Sequence, residues 1–306
     1  MNATTETPSP AALDRRAQRR FHERHAGTAA KADPLSARAR EELIERLELI
    51  PLNPSRIVDV GAGDGEAARA LAQRYPKARV VALDHAPARC ANARRRRGWR
   101  RRYEVVHGDL QALPFADGSV DLIFANLVLQ DCVPPDAALR ECRRVLRPGS
   151  GLLTFATLGP ATLGELREAW RAVDPVCDAH VHDFVDMHDL GEALGRCGLR
   201  EPVLDVDRLQ LTYSTLDALC RELRLAGAAC ALASRRRSLT GAGRVRALRE
   251  HCRARADGDG RLRITAELVF GHAWASPAPA SNGPPGIDSG PDGAVAIPLT
   301  SVGRRS

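Results

Sequence analysis

The segment Arg56-Ile57-Val58-Asp59-Val60-Gly61-Ala62-Gly63-Asp64-Gly65 constrains this chain more than any other. An apolar run ending in closely spaced glycines reads as a buried strand that turns sharply into a helix, where a side chain would hold a ligand off the backbone. Two later apolar runs end in acids. Ala78 to Leu83 is closed by Asp84, which can meet a ribose diol from that strand end; Tyr103 to His107 is followed by Asp109, which can meet the exocyclic amine of a base. Glycine turns and strand-end aspartates occur singly in many α/β proteins. Here three of them fall in the order needed to surround one nucleoside.

The glycine segment alone is compatible with NAD, FAD or S-adenosylmethionine. Position 66 is Glu, so the dinucleotide spacing G-x-G-x-x-G is incomplete. Asp59, on the strand before the first glycine, would sit badly beside a pyrophosphate but suits a cationic sulfonium and its amino-acid moiety. The charge argument favours the methyl donor, and NAD remains the alternative.

Around this segment strands and helices alternate. Strands are expected at Ile57 to Val60, Arg79 to Leu83, Tyr103 to His107, Val120 to Ala125 and Leu152 to Ala156. Helices are expected over Glu66 to Arg74, residues 87 to 97, and Asp136 to Leu146. Such alternation predicts an α/β fold with a largely parallel sheet and ligands beyond the carboxyl ends of its strands. Five segments follow: a disordered tail at 1–12, N-terminal helices at 13–52, a nucleoside-binding core at 53–157, a less regular half at 158–274, and a disordered Pro- and Gly-rich tail at 275–306. The helices at Leu13 to His25 and Ser36 to Leu49 either cover the open mouth of the core as a lid or serve as packing helices. Beyond 158, helices are expected at Thr162 to Val173, Met187 to Cys197, Leu216 to Leu225 and Val245 to Cys252, with strands at Pro202 to Leu211 and Arg261 to Phe270.

The chain has 306 residues, a net charge of +7 and eight cysteines without a close pair. The cysteines read as free small hydrophobes. No run of about 20 apolar residues occurs and no targeting core precedes a small-residue cleavage site, so a cytoplasmic monomer without membrane association is expected. Lysine occurs only at Lys31 and Lys77, so arginine supplies nearly all the positive charge across the whole length. That uniformity, and the lack of interleaved aromatic platforms around Arg94 to Arg97 and Arg100 to Arg102, argue against nucleic acid. A basic surface would still attract an anionic protein carrier.

Val58 through Gly65, Asp84, Gly108-Asp109-Leu110, Leu113 through Asp121 and Leu146-Arg147-Pro148-Gly149 resemble the class I S-adenosylmethionine-dependent methyltransferases over residues 53 to 157. The resemblance implies a Rossmann-like fold with added helical lid elements, S-adenosyl-L-methionine as donor and S-adenosyl-L-homocysteine as product. It implies donor contacts at Gly61, Gly63, Asp84, Asp109 and Leu110, with Asp59 shaping the site and Asn126 bordering the sulfonium. Asn126 through Gln130, Phe155 through Leu163, His182 through Gly191 and Leu211-Thr212-Tyr213 are similar, more narrowly, to the malonyl-[acyl-carrier protein] O-methyltransferases of biotin synthesis. That likeness implies methyl capping of the free carboxylate of a malonyl thioester carried by acyl-carrier protein or coenzyme A. Asp131-Cys132 departs from the pattern, where a tryptophan is expected after Gln130. Similarity around Thr157 and Asp189-Leu190-Gly191 keeps three alternatives: methylation of another acceptor, an arginine hydroxylase, and a nonenzymatic assembly factor.

A carboxylate acceptor is ionised near neutrality, its reference pKa being about 4, so no general base is needed and no catalytic residue is expected. Rate then comes from proximity and alignment. Arg167 and Arg171, four apart on one helix face, are candidates for meeting the acceptor carboxylate or an acidic carrier; Tyr213 and His182 are candidates for the acceptor wall. His180, His182 and His188 lack a tight coordinating pattern, so no metal is expected.

Overall fold

Asp121 ties the amino-terminal ends of two neighbouring strands together. Its Oδ2 accepts from the Ser55 N–H (2.9 Å), the Ser55 hydroxyl (2.6 Å) and the Arg56 N–H (2.9 Å), and Arg147 pairs with Oδ1 at 2.7 Å. The strands so joined, β1 (Arg56–Val60) and β4 (Leu122–Asn126), run parallel with Ile57 opposite Leu122 and Val60 opposite Ala125. Gly61 and Asn126 therefore emerge side by side.

The computed structural model describes residues 12–27, 33–99, 102–177 and 179–277; the expected tails fall outside these, apart from Ala12 and residues 275–277. The described residues, apart from Pro277, belong to one compact unit, Met1–Ser276. Besides β1 and β4 the sheet contains β2 (Arg79–Asp84), β3 (Glu104–His107), β5 (Leu152–Leu158), β6 (Leu199–Tyr213) and β7 (Leu262–Ala275), in the order β3-β2-β1-β4-β5-β7-β6. The first five are parallel, with Val58 opposite Val81, and β7 runs antiparallel to both β5 and β6. The chain leaves β1 toward β2 and returns from β3 to β4 on the other side. This reversal opens a crevice at the carboxyl ends of β1 and β4, where open α/β sheets take their ligands.

Side chains alternate between two cores. Ile57, Leu122 and Phe124 face α2 (Pro34–Arg46), α3 (Glu66–Arg74) and α4 (Pro87–Arg96), meeting Leu43, Leu71 and Ala93. Val58, Val60, Ile123 and Ala125 face α5 (Asp136–Val145), with α7 (Met187–Arg196) beyond it, meeting Leu139, Leu190 and Leu194. Both faces of these strands are covered, which is why they read as continuous apolar runs.

The late strands overhang the sheet. β5 stops pairing where Leu158 meets Leu268, yet β7 begins at Leu262 and β6 continues to Tyr213, so both project past the carboxyl end of β5. A third core forms on this overhang from Tyr213, Leu262 and Ile264 with α6 (Gly164–Val173), α8 (Leu216–Leu225) and α9 (Ala242–Ala254). β7 also runs further than its sequence pattern indicates. Ala275, assigned to the tail, is fully buried in the strand and donates to the Gly151 carbonyl at 2.8 Å. Among the described residues no helix is long and apolar enough to cross a membrane.

Asp121→Ala should destabilise the fold by about 1–3 kcal/mol, since it removes the charged acceptor of the part-buried hydrogen bonds from Ser55 and Arg56. Burial alone would raise the Asp121 carboxyl, but the hydrogen bonds from Ser55 and Arg56 and the charge of Arg147 hold it below its ordinary value. A depressed carboxyl contributes stability that is present above its unfolded pKa and lost as pH falls through its folded pKa. The gap between wild type and variant in urea denaturation should therefore narrow on acidification; a gap independent of pH would contradict the ionic clasp.

Candidate active site

The glycine turn after β1 takes its form from three left-handed residues: Gly61 (φ 68°), Gly63 (φ 55°) and Gly65 (φ 83°). At Gly61 a Cβ would lie 2.6 Å from Cγ2 of Val128, so no side chain fits there. At Gly63 the nearest atom to an added Cβ would be Nη1 of Arg89, 3.8 Å away, leaving the backbone approachable. Asp84 at the end of β2 fastens the turn: Oδ2 accepts from the Gly63 N–H at 2.9 Å and Oδ1 from the Ala86 N–H at 2.8 Å. Each oxygen keeps a lone pair that a diol could use.

These groups line one cavity of about 450 Å³. Its inner end holds Asp59, Gly61, Gly63, Asp84, Asn126 and Leu127. The other end is the overhang, where Leu166, Leu211, Tyr213, Leu219 and Ile264 make a largely apolar wall. Two residues on the wall, Leu127 (φ 49°) and Leu163 (φ 56°), adopt left-handed backbone conformations costly for leucine, the kind of strain that concentrates at functional sites. The N-terminal helices close the cavity: α1 (Arg15–Arg24) contributes Gln18 and His22, and Asp33, Leu35, Ser36, Ala37 and Arg40 come from the start of α2 and its cap.

Two buried acceptors on the wall lack partners. Asp59 is 1% exposed, its Oδ2 has no hydrogen bond, and burial, reinforced by Asp84, pushes its carboxyl up to about 8. Asn126 donates to the Ser36 carbonyl (3.0 Å) and hydroxyl (3.2 Å), but its Oδ1 is buried and unpaired. Buried polar atoms without partners are costly, so both oxygens point to a ligand that donates hydrogen bonds or carries positive charge. An amino group or sulfonium fits Asp59, and a ribose fits Asp84.

Other sequence-predicted residues sit elsewhere. Asp109 and Leu110 are not on the cavity wall: Asp109 is ion-paired with Arg15 of α1 and accepts from the Gln111 N–H at 2.9 Å, while Leu110 packs into the sheet core. Arg167 and Arg171 also lie off the wall. Arg167 clamps two loops, donating to the carbonyls of His182 (2.8 Å), Pro160 (3.3 Å) and Thr162 (3.4 Å) beside Asp183. Tyr213 does line the cavity and donates to Glu222 at 2.8 Å. His182 lines it too, its Nε2 accepting from the Ala231 N–H at 2.8 Å; burial pushes its pKa down, so the ring is a neutral acceptor at neutral pH.

Asp174, Cys177 and His180 approach one another closely enough to be considered as metal ligands. Asp174 is already surrounded by His180 (3.1 Å), Arg236 (2.9 Å) and Arg244 (3.6 Å), which satisfies its charge without an ion. A second cluster escaped sequence reasoning. His22 Nδ1 lies 3.4 Å from His85 Nε2, and His22 Nε2 lies 3.7 Å from Asp131, the residue found where a tryptophan is expected. Burial drives His22 well below its ordinary value and raises Asp131 to about 6, with a hydrogen bond from Gln18 and then the charge of Arg89 opposing the latter shift. The unexpected Asp131 was the one available signal, and its partners come from α1 and the turn between β2 and α4, far away in sequence.

A family model described as a methyltransferase domain matches residues 58–154. A malonyl-[acyl-carrier protein] O-methyltransferase of Laribacter hongkongensis is 41% identical over 290 residues, covering 91% of this chain and 94% of the relative. Its counterpart in Halorhodospira halophila is 42% identical over 263 residues, 86% and 88% of the two chains. Among solved structures, the YcgJ protein of Bacillus subtilis superposes with a TM-score of 0.55 at 16% identity, covering 78% of this chain and 99% of that one. A Haemonchus contortus phosphoethanolamine N-methyltransferase in complex with S-adenosylhomocysteine gives 0.54 at 16% identity, with coverage of 89% and 62%. The fold is that of the class I S-adenosylmethionine-dependent methyltransferases, and the chain has methyltransferase character.

The raised Asp59 carboxyl sets a pH test. A carboxyl lifted above its unfolded value contributes stability present below the unfolded pKa and lost as pH rises through the folded one, here about 8. Asp59→Asn has no such loss. The melting temperature of the ligand-free variant relative to wild type should therefore rise between about pH 5 and about pH 9. A difference that stays constant with pH would contradict the buried, raised carboxyl.

Proposed function

Since this chain belongs to the malonyl-[acyl-carrier protein] O-methyltransferase family, we propose that it methylates the free carboxylate of a malonyl thioester on acyl-carrier protein, with S-adenosyl-L-methionine as donor. The observation that carries this reading is the single cavity joining the glycine cradle of β1 to the apolar wall on the β6–β7 overhang. A donor nucleoside and a tethered acyl group can meet in it. On this reading the pathway is the early, pimeloyl part of biotin synthesis, and the enzyme works in the cytoplasm.

When bound, the donor supplies an activated methyl carbon that a carboxylate oxygen attacks in line, the electron pair of the carbon–sulfur bond leaving with sulfur and no proton being transferred. The residues of this chain bind, align and dry the site. Asp84 offers its lone pairs to the ribose diol, Asp59 and Asn126 offer their unpaired oxygens to the cationic end, and Gly63 lets that end approach the backbone. Ionised Asp59 is favoured by a cationic ligand, so donor binding draws its pKa down from about 8. Leu127, Leu163, Leu166 and Ile264 exclude water from the reacting carboxylate, which strengthens the nucleophile's electrostatic response to the sulfonium.

Among the described residues, Arg40, Arg89 and Arg224 are the arginines on the cavity wall. Arg40 is held by Glu66 at 2.8 Å. Arg89 has no ion pair among the described residues and lies beside Gly63, so it replaces Arg167 and Arg171 as the cation for the acceptor carboxylate. A guanidinium there orients the carboxylate and discriminates against neutral acyl groups.

Incubation with a malonyl-carrier and labelled donor, followed by intact-mass measurement, should add one methylene equivalent to malonyl-carrier and nothing to acetyl-carrier. Methylation of both, or of neither, would remove the free carboxylate as acceptor. Arg89→Leu should raise the malonyl-carrier KM by a factor on the order of ten or more, the loss of a charge-assisted hydrogen bond. An unchanged KM would exclude Arg89 from the acceptor site.

A further inference from the structure

Among the described residues, the two most exposed large apolar side chains are Leu239, at 96%, and Val176, at 93%. They lie on different loops, yet one buried carboxylate pins those loops together. Asp174 receives His180 from the first loop and Arg236 and Arg244 from the segment that carries Leu239. Stacking of His180 on Trp170, with ring centres 3.9 Å apart, fixes the first loop to α6. Both loops adjoin the cavity: His180, Val181 and His182 line it from one, and Ala229 to Ala231 line it from the approach to the other. The two walls are joined by the Ala231–His182 hydrogen bond and by Cys230, whose thiol donates to the Ala179 carbonyl at 3.4 Å.

The charge of the second of these segments is one-sided. Between positions 221 and 246 stand seven arginines and a single acid, Glu222, which is engaged by Tyr213. Arg235, Arg236 and Arg244 are committed to Asp14 and Asp174. Arg237 and Arg224 are exposed and have no ion pair among the described residues, and Arg224 also lines the cavity. Exposed aliphatic side chains among arginines that outnumber the neighbouring acids, on loops that adjoin a cavity, match a partner that is acidic and presents apolar side chains of its own.

We infer that Val176, Leu239 and Arg237, with Arg224 at the cavity edge, form the docking surface for the acidic carrier domain that delivers the acyl group. The inference rests on the carrier-bound acceptor proposed above and places the carrier on the rim made by the 174–182 and 224–239 segments. It moves the docking site away from the α6 arginines, Arg167 and Arg171. The carrier's acidic groups face Arg224 and Arg237, its apolar residues cover Leu239 and Val176, and its tethered group enters the apolar end of the cavity.

The test compares a carrier-bound with a carrier-free substrate. The Arg237→Glu, Leu239→Ser double variant is altered only at exposed positions outside the cavity wall, and its melting temperature should match wild type. Binding of labelled malonyl-carrier, read by fluorescence anisotropy, should weaken by about tenfold or more, with a parallel rise in its KM. Turnover of malonyl-coenzyme A and affinity for S-adenosylhomocysteine should be unchanged. Unchanged carrier binding, or equal losses on both malonyl substrates, would overturn the docking surface. A wild-type protein that binds carrier through these residues yet methylates neither malonyl substrate would keep the surface and refute the proposed reaction.

Discussion

Two adjacent parallel strands that leave the sheet in opposite directions are the constraint from which the site follows. The Asp121 clasp brings the starts of β1 and β4 into register, so their carboxyl ends expose Gly61 and Asn126 side by side. Gly61 is packed against Val128, where a Cβ would collide, and the open point of the turn is Gly63, whose nearest neighbour to an added Cβ is Arg89. Asp84 then joins the second strand to the turn, and three strand ends share one concave surface.

The second half of the site depends on the length mismatch at the other side of the sheet. β6 and β7 continue past β5, and the third core that grows on this overhang supplies an apolar wall facing the glycine turn. Electrostatics differ between the two ends. Burial holds Asp59 near 8 and Asp131 near 6, so the inner end concentrates carboxyls whose charged forms await a cationic partner, whereas the overhang is lined mainly by carbon. Arg89 lies next to the glycine turn and places a positive charge on the cavity wall.

Much of this was legible because it is local. The strand containing Val58, the helix from Glu66 to Arg74 and the helix from Leu216 to Leu225 follow from apolar period, glycine and caps within a few residues. The Asp59, Asp84 and Asn126 positions could be named because each closes or borders an apolar run. What sequence reading missed are contacts between distant segments. Asp109 carries the right pattern for a base contact but meets Arg15, 94 positions away, which local periodicity does not encode. Arg167 has the spacing of a surface pair but spends its donors on three carbonyls. The extra length of β7 was hidden because Gly271 and His272 interrupt an apolar run that nonetheless pairs with β5 through Trp274.

The most direct test of the account is hydrogen exchange with and without S-adenosylhomocysteine, since it locates binding without altering a residue. The account predicts slowed exchange at the backbone of residues 59–65, 84–90 and 126–131, where the three strand ends meet, with little change along the solvent edge of β6 at 203–207. Protection absent from the glycine turn, or concentrated away from the β1–β4 crevice, would contradict the assignment of that crevice as the donor site.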